Sequence, residues 1–91
     1  MMSSSKRTTD HETIKRWVEA RNGRPAHVKR TGDGDPGVLR IDFPGYSGEE
    51  SLEEISWDVF FAKFDEKELA FVYQDKTDGG EVSTFNKLVS R

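Results

Sequence analysis

The stretch FPGYSGEESLEEISWDVFFAKF, residues 43–64, decides how the rest of the chain is read. It holds a Gly-Tyr-Ser-Gly turn, a run of four glutamates and a cluster of aromatic residues. Trp57, Phe60, Phe61 and Phe64 recur at i, i+3, i+4 and i+7, which is the spacing of one apolar face of a helix. Ser56 stands where that helix needs an N-cap, and Asp58 in the first turn complements the positive end of the helix dipole. Glu49, Glu50, Glu53 and Glu54 precede the cap, and the same dipole explains their sign. Leu52 and Ile55 are the expected core anchors on an otherwise polar connector.

Working upstream, residues 8–25 spell TTDHETIKRWVEARNGRP, a second helix. Thr9 and Glu12 fit a capping box, in which each side chain satisfies an amide at the helix start. Ile14, Trp17 and Val18 form the apolar face, Gly23 supplies a left-handed stop and Pro25 prevents continuation. AHVKR, residues 26–30, and VLRIDF, residues 38–43, alternate as strands around the turn-rich TGDGDPG, which reads as a β-hairpin. Downstream, LAFVYQD and TFNKLVS are two more strands around KTDGGE. The order helix-hairpin, helix-hairpin suggests a duplicated αββ unit over residues 9–44 and 55–91, with Trp17 and Phe64 in corresponding positions. The expected fold is α+β, αββαββ, with one four-stranded antiparallel sheet and both helices packed on one face. Residues 1–8 are polar and are expected to form a disordered lead to a single domain at 9–91.

Composition narrows the function. Of the 91 residues, 33% are hydrophobic and 34% charged, so six Phe, two Trp and two Tyr must supply much of the core. No cysteine is present, which excludes disulfides, thiolate metal sites and thiol catalysis, and favours the cytoplasm. No run approaches the roughly 18–20 apolar residues of a membrane span, so no membrane partner is expected. Residues 1–45 carry nine Lys/Arg against six Asp/Glu, and residues 46–91 carry five against eleven. That asymmetry suggests a basic face, or attraction between opposite ends of two copies.

Chemistry-bearing patterns were sought along the chain. Ser47 in GYSG lacks the second glycine and the strand-to-helix placement of a nucleophile elbow. Asp33 and Asp35 begin like a calcium loop, but Val38 stands where glycine is required and no bidentate Glu follows. His11 and His27 have no cysteine or third ligand for zinc. TDGG and TGDG lack the lysine and following helix of a phosphate loop. No catalytic residue, cofactor or metal is therefore expected. Strand alternation sets His27, Lys29 and Arg40 on the side opposite Val28 and Ile41. If Ala70 and Val72 face the helices, Phe71 and Tyr73 join those bases on an open sheet face; if Leu69, Phe71 and Tyr73 face inward, that face is plain and polar. The candidate binding face is thus His27, Lys29, Arg40, Phe71 and Tyr73.

RIDFPGYSGEESLEEISWDVFFAKFDEKELAFVYQ, with TTDHETIKRWVEARNGRPA and the terminal FNKLVSR, resembles a family of small uncharacterised bacterial proteins of about this length. Some of them carry the automatic name 1,4-alpha-glucan branching enzyme. Asp42–Ser47 and Ile55–Phe64 are the most specific parts, and Val59 departs from a family preference for Glu there. The name implies a glycoside-processing barrel, which needs at least roughly 200–250 residues and a matched pair of carboxylates; this chain is expected to have neither. The leading expectation is a non-enzymatic interaction module for a protein partner or for a second copy as a homodimer. Single-stranded nucleic-acid binding through Lys29, Arg40, Phe71 and Tyr73 is the alternative, and glucan chemistry the last.

Overall fold

The computed structural model describes residues 5–28, 39–45 and 52–91. In chain order the elements are β1 (Lys6–Thr8), α1 (His11–Glu19), β2 (Arg24–Val28), β3 (Leu39–Asp42), β4 (Leu52–Glu54), α2 (Trp57–Glu66), β5 (Leu69–Tyr73) and β6 (Asn86–Ser90). The expected turn TGDGDPG, Lys29, the Tyr46-Ser47-Gly48 turn and Glu49 and Glu50 lie outside the described residues.

Both helices form for the reasons their sequences give, with one change of cap. Asp10, not Thr9, is the N-cap of α1: its carboxylate accepts from the Thr13 amide at 2.9 Å and from the Thr13 hydroxyl at 2.6 Å. The Thr9–Glu12 capping box is therefore superseded. Ser56 caps α2 as expected, its hydroxyl accepting from the Val59 amide at 3.1 Å. The left-handed residue that ends α1 is Asn22, with φ 59°, rather than Gly23. Gly23 is required for space instead. A Cβ there would stand 2.9 Å from both a Phe43 ring carbon and a Val18 methyl.

One four-stranded sheet is not what these strands build. They form two separate three-stranded antiparallel sheets, ordered β1-β5-β6 and β3-β2-β4. Two short strands cause the difference. Residues 6–8, expected in a disordered lead, pair with β5 through Arg7 opposite Val72. Residues 52–54, expected in a polar connector, pair with β2 through Glu53 opposite His27. Chain order is thus βαββ twice, and the first strand of each unit adds to the hairpin of the other. β3 of one sheet and β6 of the other run close together at their edges without being ladder neighbours.

The core nevertheless is one body. Ile14, Trp17 and Val18 of α1 and Phe60 and Phe64 of α2 are buried in one cluster with Leu39 and Ile41 of β3 and with Phe71 and Tyr73 of β5. α2 packs on β5 and also on β2 and β3, so it spans the two sheets. The Trp17 ring does the same, meeting Phe43 edge-on at 6.1 Å and Phe71 and Tyr73 at 5.5 and 5.7 Å. Burying each such ring contributes on the order of 2–3 kcal/mol, and the helices thereby tie together sheets that share no ladder. No helix among the described residues is long and apolar enough to cross a membrane.

Candidate functional site: a groove along the sheet seam

Register decides which side chains are presented, because residues opposite one another in an antiparallel pair share a face. In the second sheet Leu39 opposes His27 and Ile41 opposes Pro25, so His27 belongs with the core-facing residues. It is 8% exposed, and its Nε2 lies 2.7 Å from a Glu53 carboxylate oxygen. Arg40 opposes Ala26 and takes the other face, its guanidinium donating to the Leu39 carbonyl at 3.1 Å. In the first sheet Phe71 and Tyr73 face the helices, fully buried and 9% exposed. The five expected site residues are consequently not brought together. Two are core rings under Trp17, one is a buried histidine, Arg40 is on the outer face and Lys29 lies outside the described residues. An aromatic platform of Phe71 and Tyr73 has no surface from which to stack bases.

The charge asymmetry of the two halves also finds an internal destination. Strand exchange carries bases of the first half onto acids of the second. Lys6 meets Asp75 at 2.6 Å, His11 meets Asp65 at 3.0 Å, Arg24 meets Glu54 at 3.5 Å, and His27 meets Glu53. The hydrogen bond and charge of Asp75 raise the Lys6 ammonium above its ordinary value. The hydrogen bond from His11, then that from Arg91, holds the Asp65 carboxyl below the usual carboxylate range. Exposed pairs of this kind contribute about 0–1 kcal/mol each. Their main effect is on the surface, since they consume the opposed charges that would otherwise draw two copies together.

What the fold does create is a groove along the line where β3 and β6 approach. One end, about 290 Å³, is lined by Ile41, Phe43, Leu52 and Phe85, with Thr84, Arg40 and Asn86. The other, about 350 Å³, is lined by Leu39, Leu88 and Lys87, again with Arg40 and Asn86. Arg40 and Asn86 join the two ends. Such volumes suit one or two side chains of a partner rather than a whole cofactor.

The loop that carries Phe85 is held in place by Arg21. Its guanidinium lies 4.2 Å over the Trp17 ring and donates to the carbonyls of Ser83 at 2.6 Å and of Asp75 and Trp17 at 3.0 Å. Burial lowers the Arg21 guanidinium, yet a guanidinium stays charged across the accessible pH range. Ser83 then receives the Phe85 amide at 3.0 Å and donates to the Gln74 side chain at 2.7 Å. Phe85 is thus a 49% exposed aromatic on a fixed support, not on a loose tip.

Phe85, Asn86 and Lys87 were not among the expected site residues. A signal was present: with Leu88 inward, alternation puts Phe85 in the opposite phase, beside Lys87 and Val89, where a core ring does not belong. Among the described residues no group of three His, Cys, Asp or Glu side chains stands close enough to hold a metal ion. Comparison with protein-family models, with curated proteins and with solved structures finds no match to this chain. The functional reading rests on the geometry alone.

Proposed function

We propose that the chain is a small non-enzymatic binding module of the cytoplasm, and that the groove between β3 and β6 receives a segment of a protein partner. The observation that supports this reading is the composition of the groove. Four apolar side chains form one end, an exposed ring is braced at its rim, and a guanidinium and a carboxamide sit at its centre. Recognition sites take their affinity from a few well-supported aromatic and Arg anchors surrounded by near-neutral contacts. A partner is favoured over a second copy because the opposite charges of the two halves are largely engaged within one molecule.

Peptide selection tests the proposal. A displayed library of random peptides is panned on the full chain and counter-selected on the Phe85→Asp variant. Enriched peptides should shift the amide resonances of Ile41, Phe85 and Asn86 in the labelled protein. Enrichment of peptides that bind the variant equally well, or shifts confined to other surfaces, would remove the groove as the site.

A further inference from the structure

We infer that the segment taken by the groove is acidic, presenting an apolar side chain and a carboxylate two residues apart on an extended strand; this rests on the reading of the groove as a partner site. Charge is the first ground. The chain as a whole is net −3, yet the only charged side chains lining the two ends of the groove are Arg40 and Lys87. No carboxylate lines either end. A groove of one sign in a molecule of the other sign selects an oppositely charged segment and steers its approach. The outer face extends that sign, because Lys87, Val72 and Arg7 lie in one row across β6, β5 and β1.

Spacing is the second ground. Phe85 borders the apolar end and Lys87 the basic end, two residues apart along one stretch of chain and in the same phase. Residues two apart on an extended chain are separated by about 6.6 Å, whichever chain they belong to. A peptide lying along the seam therefore presents side chains i and i+2 to the two ends in turn. Ile41, Leu52 and Phe43 suit an aliphatic side chain at the first position. Nucleic acid is less favoured, because Phe71 and Tyr73 are buried and Phe85 is the single ring left at the groove rim for a base.

The test uses fluorescein-labelled decapeptides of Gly and Ser that carry Leu-Ser-Asp, Leu-Ser-Lys or Leu-Ser-Ser, and an oligothymidine of ten nucleotides. Each is titrated into the full chain, with anisotropy and amide shifts as readouts. The Leu-Ser-Asp peptide should bind, move the Arg40, Phe85, Asn86 and Lys87 amides, and weaken as salt is raised. Lys87→Glu should weaken it by about tenfold or more, a charge-reversal effect, and should improve binding of the Leu-Ser-Lys peptide. Lys87 is exposed on a sheet edge, so the variant keeps its fold, which its spectrum verifies. Equal binding of all three peptides at the groove would overturn the acidic preference while leaving the groove as a protein site. Oligothymidine moving the groove resonances when no peptide does would overturn both.

Discussion

The two sheets are built to one plan and part company at single residues. The caps Asp10 and Ser56, the buried pairs Ile14 and Phe60 and Val18 and Phe64, and the left-handed Asn22 and Glu68 each lie 46 positions apart. The same spacing sets Gly23 with Leu69, Pro25 with Phe71 and His27 with Tyr73 on the core-facing side. The short exchanged strands break it. Arg7 pairs with Val72 and faces outward, but its counterpart Glu53 pairs with His27 and faces inward. A slip of one residue reverses every side chain of a strand. Here it places a carboxylate where the buried imidazole needs a partner. Helices and hairpins hold the common plan, and the added strand adjusts to what its neighbour must bury.

The comparison also shows unequal division of the core. At equivalent positions α2 contributes two phenylalanines where α1 contributes Ile14 and Val18, and α1 adds Trp17 one residue away. Truncating Phe64 to Ala should cost about 3–5 kcal/mol, while Val18→Ala, removing two methyl groups, should cost about 2 kcal/mol. Urea midpoints measure both. Equal losses would mean that the two units share the core evenly.

Gly23 and Leu69 sharpen the contrast at the strand entrance. Leu69 is accommodated against the core, whereas at Gly23 even a methyl meets Phe43 and Val18. Gly23→Ala should destabilise by about 1–3 kcal/mol, the cost of overpacking, and shift the Phe43 ring resonances. A neutral outcome would show that β2 can retreat from α1.

The smallest effect concerns Asp65, which joins the start of α1 to the end of α2 and to Arg91. His11 lies stacked 4.1 Å from Phe61 and offers its Nε2 to this carboxylate, while Arg91 donates at 2.8 Å. The folded carboxyl is held below its ordinary value, so the stability it adds is present above the unfolded pKa and is lost as pH falls through the folded one. Asp65→Asn should lower the thermal midpoint modestly at neutral pH, and the gap to wild type should close in acid. A gap that persists at the lowest pH would assign the effect to packing instead.

Much of this molecule is legible in its residues, and what is not has a physical cause. Periodicity found both helices and the hairpin strands, because Trp57, Phe60 and Phe64, or Leu39 and Ile41, mark a buried face directly. It missed β1 and β4 because Lys-Arg-Thr and Leu-Glu-Glu carry no alternation of their own; pairing with β5 and β2 makes them strands. Missing them concealed the exchange, and with it the division into two sheets. Trp17 and Phe64 were aligned one position away from the true pair, Val18 and Phe64, because ring size was a stronger cue than distance from the cap. Arg40 reached the groove as a candidate. Phe71 and Tyr73 did not, since alternation leaves either phase open until a partner strand fixes it.

Cross-strand nuclear Overhauser contacts test the exchanged-strand architecture most directly. The backbone of Arg7 should give contacts to Val72, and that of Glu53 to His27, with no ladder of contacts joining β3 to β6. A continuous β3–β6 ladder, or β1 and β4 without their partners, would close the groove and contradict the fold on which its proposed use depends.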